Sequence, residues 1–208
     1  MTYIEILGVM GTGKTSLSKV FNEKAGATVI IEKEEDLKRM FLLEPYIADP
    51  QKYGFEGAIN FVAFNLNKIQ EELVKLPKDE CVVVDTSMLM QYAYSKPVLN
   101  EAEFKTICET INLAYAKLPP VDLRIVITLP PDVHLQRIKD RGRDFEQNVT
   151  EERLTEVQNL LDESIKKMGA GVPTIYLDGS KLDWVHSEKD KKAVIDLVKK
   201  KCPHLKMG

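Results

Sequence analysis

The sequence predicts an α/β fold, a doubly wound parallel sheet with helices on both faces. Three observations carry this reading. Five short runs rich in β-branched residues (3–7, 28–32, 81–85, 123–129 and 174–177) are nearly continuous in apolar residues, as strands covered on both faces are. The longer stretches between them step their apolar residues by three or four, the spacing of one buried helix face. A glycine-rich turn joins the first run to a helical stretch. Strands that alternate with helices pair in parallel through crossovers. The 208 residues contain no internal repeat, low-complexity linker or composition break, so a single domain over 1–208 is expected.

Each element has its own signal. After the second run, Glu34, Glu35 and Asp36 read as the solvated start of a helix. Phe55, Ile59, Val62, Leu66, Ile69 and Leu73 form one face of a long helix. Phe104, Ile107, Ile111 and Tyr115 mark another, and Leu154, Val157, Leu160, Leu161 and Ile165 a third. The basic tail from Lys189 to Lys206 reads as a helix with a solvated face.

Composition narrows the function classes. Hydrophobic residues make up 44% and charged residues 29%, an ordinary globular balance, and the net charge of −3 gives no footprint for a nucleic-acid polymer. Cys81, Cys108 and Cys202 are odd in number and unrelated in spacing, which argues against a disulfide framework and for a reducing compartment. Cys202 with His204 cannot close a metal site, and His134 and His186 show no ligand spacing; all read as structural or incidental. The N-terminus reads as a strand rather than a signal peptide, and no apolar run approaches the roughly 18 residues of a membrane span. A soluble, cytoplasmic protein with no membrane partner is expected.

The chemistry begins at Gly8-Val9-Met10-Gly11-Thr12-Gly13-Lys14-Thr15, a match to G-x-x-x-x-G-K-[ST] between a strand and a helix. Its glycines allow successive backbone N–H groups to converge on phosphate oxygens, and the helix adds its positive end. Lys14 would pair with the β- and γ-phosphates of ATP, and the Thr15 hydroxyl would ligate Mg²⁺. Asp85 ends the third strand, where ligands of a doubly wound sheet sit, and could hold Mg²⁺ through water or cap the following helix beside Thr86 and Ser87. Glu32 ends the second strand in the same way and could accept a proton from an acceptor hydroxyl. Arg137 and Arg141 share a helix face, Gly142 ends that helix, and Arg143 follows. Three guanidiniums there suit the oxygens of a transferring phosphoryl group.

These residues resemble the deoxynucleoside kinase family, in order over 3–165. The stretch Arg137-Ile138-Lys139-Asp140-Arg141-Gly142-Arg143-Asp144-Phe145-Glu146 is similar to the family's lid, R-I-x-x-R-G-R-x-x-E. Asp49-Pro50-Gln51-Lys52-Tyr53-Gly54-Phe55 resembles its N-P-x-x-W-x-F, and Asp85-Thr86-Ser87 stands at its [ED]-R-S. The resemblance implies a P-loop kinase with a five-stranded parallel sheet, a helical arginine lid over about 137–150 and a homodimer through long helices. It implies Glu32 as the base on the sugar 5′-hydroxyl, Glu146 on the 3′-hydroxyl, and Arg137, Arg141 and Arg143 as phosphate clamps. The loop 178–184, with Asp183, falls where the family wraps the adenine of ATP. Tyr46, Phe55, Asn60, Asp85 and Gln91 are the remaining candidates for the acceptor pocket.

The chain departs from the family at Thr86, where the triplet has arginine, and at Lys33, where the family has proline. Lys33 is therefore a candidate for the missing positive charge. Ala58 replaces a base-reading glutamine, with Asn60, Asn65 and Asn67 nearby, and Gln91 stands where many members carry an acid. The leading expectation is ATP-dependent phosphorylation of a nucleoside 5′-hydroxyl. A nucleoside monophosphate kinase, with Arg39 and Lys68 on the acceptor phosphate, is the alternative enzyme. A nucleotide-binding regulatory protein that has lost catalysis is the alternative of another class.

Overall fold

The computed structural model describes residues 1–40, 42–142 and 149–203. Its centre is β1 (Thr2–Leu7), buried at every residue. Around it lie β2 (Thr28–Ile30), β3 (Cys81–Val84), β4 (Leu123–Thr128) and β5 (Thr174–Asp178), in the order β2-β3-β1-β4-β5, all parallel. Register pairs Ile4 with Val83 on one side and Ile6 with Ile125 on the other. All five strands therefore end on one edge, the edge at which the phosphate loop and Asp85 emerge.

The helices follow in chain order: α1 (Lys14–Ala25), α2 (Glu34–Arg39), α3 (Leu43–Ala48), α4 (Pro50–Leu73), α5 (Leu89–Ser95), α6 (Glu101–Tyr115), α7 (Pro131–Arg141), α8 (Glu151–Met168) and α9 (Glu188–Lys201). Side chains alternate across a strand, which splits the apolar interior into two layers. Tyr3, Leu7, Val84 and Val126 pack against Val62 of α4, Leu89 of α5, Ile111 of α6 and Leu161 of α8. Ile4, Ile6, Val83 and Ile125 pack on the other side against Leu17 and Phe21 of α1 and Val194 and Val198 of α9. The three apolar helix faces expected from spacing are those of α4, α6 and α8. α4 starts earlier than its apolar face because Asp49 caps it, accepting from the Lys52 N–H at 3.1 Å, with Pro50 in its first turn. Cys81, Cys108 and Cys202 are free thiols, and no described helix is long and apolar enough to cross a membrane.

One polar cluster interrupts the first layer. Glu5, on the same face of β1 as Tyr3 and Leu7, accepts from Arg124 Nε of β4 at 2.9 Å and from the hydroxyl of Tyr115 at the end of α6. Arg124 Nη1 donates to the Gly169 carbonyl beyond α8 at 2.7 Å, and the Tyr115 hydroxyl also meets Ser87 Oγ at 3.1 Å. Glu5 and Arg124 are both almost fully buried, so the pair persists only because its remaining polar atoms are bonded.

The strand expected over 28–32 stops at Ile30. Its ladder closes with the Asp85 N–H donating to the Ile30 carbonyl at 3.1 Å, and the Glu32 N–H turns to the Asp85 side chain instead. Glu32 thus lies in a turn rather than at a strand end.

Replacing Glu5 by Gln leaves the Arg124 guanidinium buried without a counter-charge. We expect Glu5→Gln to lose about 3–5 kcal/mol of stability in urea titrations, with the same fold.

Candidate active site

The loop 8–15 takes its shape from its own side chains. Thr12, fully buried, donates from Oγ1 to the Val9 carbonyl at 2.9 Å, and its N–H donates to the same oxygen at 3.3 Å. Gly8 has φ +154°, and a Cβ there would lie 2.9 Å from the Ile127 carbonyl and 2.5 Å from Thr12 Oγ1. Gly13 holds the left-handed turn that starts α1, at φ +96° and ψ 24°. Lys14 extends back over the loop, its ammonium donating to the Gly8 and Val9 carbonyls at 2.8 and 3.3 Å. Gly11 lies under Ile138 and His134 of α7, and the Met10 carbonyl meets His134 Nε2. Burial holds the His134 imidazole below its ordinary pKa, aided by the Lys14, Arg137 and Arg141 charges against the pull of the Met10 bond. It is therefore neutral near pH 7, with the Nε2 proton on the carbonyl.

Asp85 joins the loop to the strand ends. Its Oδ2 accepts from Thr15 Oγ1 at 2.7 Å, and its Oδ1 accepts from the Glu32 N–H at 3.0 Å and Thr86 Oγ1 at 3.4 Å. Asp85 does not cap the next helix: α5 is preceded by Met88, and the Leu89 N–H bonds to Ser87 Oγ at 3.2 Å. Thr15 and Asp85 form a pair of hard oxygen donors beside the phosphate loop, a donor set that fits Mg²⁺. Among the described residues no group of three acidic, histidine or cysteine side chains gathers at one point.

Glu32 lies beside them. Its Oε1 is buried and has no hydrogen-bond partner. Burial raises its pKa; Lys14 opposes the rise, Asp85 adds to it, and Lys68 and Asp36 act more weakly in opposite senses. The acidic run after it is not simply solvated, because Asp36 is buried and ion-paired to Lys68 of α4.

Arg137, in the middle of α7, donates from Nη2 to the Gly179 carbonyl at 2.9 Å, tying α7 to the loop between β5 and α9. Arg141 occupies the exposed last turn of α7, which Gly142 ends at φ +68°. Arg143 and Glu146 lie outside the described residues. Asp183 is exposed, and its carboxylate accepts from the Val185 and His186 N–H groups at 3.1 and 3.0 Å, shaping its own turn. Its neighbour Trp184 is the residue of this loop that reaches the phosphate site, buried with its indole 3.5 Å from a Cβ position at Gly13. Neither Trp184 nor His134 stood out in the sequence for this role. The signals available were that Trp184 is the only tryptophan of the chain and that it falls in the loop 178–184, which the family resemblance puts at the adenine.

The acceptor candidates sit on α3, α4 and α5. The Tyr46 ring packs over Gly57, and burial pushes its phenol up to about 12, with Arg153 opposing, so it stays protonated. Phe55 and Asn60 are half-buried on α4. Ala58 is fully buried, and Asn65 Nδ2 donates to the Phe61 carbonyl of its own helix at 3.0 Å. Gln91 of α5 is buried, with Oε1 unbonded.

An acid whose pKa is raised by folding favours the folded state only below its ordinary value of 4.5, and that advantage is lost as pH rises through the folded value. Glu32→Gln is therefore expected to raise the melting temperature at about pH 8, by roughly 2–4 °C per kcal/mol relieved. The gain should shrink towards zero at about pH 4 in paired thermal melts.

Known proteins share this fold. The chain is 26% identical over 183 residues to deoxyadenosine kinase of Dictyostelium discoideum, covering 86% of this chain and 73% of that protein. It is 26% identical over 208 residues to deoxyguanosine kinase of Lactobacillus acidophilus, covering 95% and 90%. The solved structure of deoxyadenosine kinase from M. mycoides with bound dCTP superposes with a TM-score of 0.75 at 18% identity, covering 96% of this chain and 100% of that one. The fold and strand-end edge described above are thus shared well beyond the level of sequence. A model of the family described as deoxynucleoside kinase matches residues 4–203, nearly the whole chain, and the chain belongs to the deoxynucleoside kinase family.

Proposed function

We propose that the protein transfers the γ-phosphoryl group of ATP to the 5′-hydroxyl of a deoxynucleoside, with Glu32 as the general base. The observation that carries this is the buried, unbonded Oε1 of Glu32, beside Asp85 and within the field of Lys14. A buried acceptor without a partner is costly, and a substrate hydroxyl is the donor that satisfies it. In the reaction the 5′-oxygen bonds to the γ-phosphorus as the bond to the β,γ-bridging oxygen breaks. The hydroxyl proton passes to Glu32 and ADP leaves. Little covalent chemistry falls to the protein, so positioning and electrostatics supply most of the rate.

Gly8, Met10, Gly11, Thr12 and Gly13 supply the cradle, and Lys14 with Arg137, Arg141 and Arg143 neutralises the phosphates. Thr15 and Asp85 would hold Mg²⁺, which when bound offsets charge on the β- and γ-oxygens. The loop around Asp183 and Trp184 forms the adenine side. Tyr46, Phe55, Asn60, Gln91 and Glu146 form the acceptor side. Lys68 is engaged with Asp36 and the Ile31 carbonyl, which speaks against its serving an acceptor phosphate. We read the working protein as a single-domain cytoplasmic enzyme and a homodimer through α4 and α6, where Leu113 is 66% exposed.

A phosphoryl-transfer screen of the common nucleosides and their monophosphates with ATP and Mg²⁺ tests the reading. Turnover of a nucleoside is expected, and activity confined to monophosphates would overturn it. Glu32→Gln should lower kcat by about 10²–10⁴-fold while ATP still binds. Because Trp184 lies against Gly13, ATP titration should change the intrinsic tryptophan fluorescence, and Lys14→Ala should abolish that change.

A further inference from the structure

The turn that carries Glu32 is held by side chains rather than by secondary structure. β2 ends at Ile30 and α2 begins at Glu34, so residues 31–33 belong to no ladder and no helix. Their backbone groups are bonded individually. The Ile31 carbonyl accepts from Lys68 Nζ, the Glu32 N–H donates to Asp85 Oδ1, and the Lys33 N–H donates to Asp36 Oδ2 at 2.8 Å. Lys68 also pairs with that same Asp36 Oδ2. One ammonium from α4 therefore fixes both flanks of Glu32, the carbonyl before it and the carboxylate that caps the residue after it. The clamp is secluded: the Lys68 and Asp36 side chains are only 17% and 12% exposed.

The Asp85 and Asp36 carboxylates both act on Glu32, and Lys14 and Lys68 oppose them. Lys14 lies over the phosphate loop, where ATP would engage it. Lys68 stays behind the turn. Lys33, the expected source of compensating charge, has an exposed side chain, and it is its backbone that Asp36 engages.

We propose that Lys68, through Asp36 and the Ile31 carbonyl, is the positioning residue that aims Glu32 at the acceptor hydroxyl. The proposal rests on Glu32 as the base, and it makes Lys68 necessary for turnover but not for donor binding.

The test compares Lys68→Met, Lys68→Arg, Asp36→Asn and Glu32→Gln, alone and with Lys68→Met in the Glu32→Gln background. The probes are ATP and the best nucleoside from the screen. Lys68→Met should lower kcat by about 10- to 100-fold, because a small misplacement of a reacting group costs that much. Its Kd for ATP should stay within about twofold of the parent. Lys68→Arg, which keeps a charge and two donors, should recover most of kcat. In the Glu32→Gln background Lys68→Met should cost little more, since two residues acting as a unit are not additive. Asp36→Asn weakens the same clamp and should reproduce the pattern if Lys68→Met does not fold. A kcat within about twofold of the parent for both Lys68→Met and Asp36→Asn overturns the proposal, and so does a full additional loss in the Glu32→Gln background. An active Glu32→Gln overturns the base assignment itself, a failure visible before any Lys68 variant is compared.

Discussion

The arrangement of the loops at the strand ends depends on one buried carboxylate. Asp85 takes a hydrogen bond from the phosphate loop through Thr15, one from the turn after β2 through Glu32, and one from its own neighbour Thr86. In a parallel sheet every strand ends on the same edge, but nothing in the ladders fixes how the loops beyond that edge sit relative to each other. Here a single side chain does so, across β2, β3 and β1. An anion taken out of water is tolerated only when several donors surround it, so the three contacts stabilise Asp85 and Asp85 in turn registers the loops.

Directly below this edge a second buried carboxylate is handled in the opposite way. Glu5 is fully bonded, to Arg124 and Tyr115, and Tyr115 reaches on to Ser87, two residues beyond Asp85. Glu32 keeps one oxygen unbonded. The contrast sets an acid whose two oxygens are both bonded within the fold beside one that keeps an oxygen unbonded, as the proposed base would. The Glu5 cluster draws β1, β4, α6 and the end of α8 together on the face where α4 and α5 also pack. The turn after β3 therefore stands on a rigid floor.

Much of this was legible in the sequence, for definable reasons. The strands announced themselves because burial on both faces leaves near-continuous apolar runs, and α4, α6 and α8 because their buried faces repeat every three or four residues. The loop 8–15 and Asp85 stand out because they follow apolar runs, and Glu32 stands out for the same reason although its strand stops two residues earlier. The early end of β2 was not legible, since it depends on a side chain more than fifty positions away competing for the Glu32 N–H. Asp36 was hidden in an acidic run whose composition says solvent, while its partner Lys68 lies a whole helix later. His134 and Trp184 were hidden likewise: each meets the phosphate loop only after a strand from the far half of the sheet is in place.

The position of Trp184 also bears on the order in which the protein is made. The phosphate loop leaves the ribosome ahead of the other four strands, yet the indole behind Gly13 and the Gly179 carbonyl that holds Arg137 belong to the segment after β5. A nascent chain that has released only its first four strands has the glycine loop but lacks that aromatic wall and the anchor of α7. The surroundings of the phosphate loop are thus completed only by a segment that follows all five strands, and a growing chain cannot assemble the whole of them before β5 has emerged.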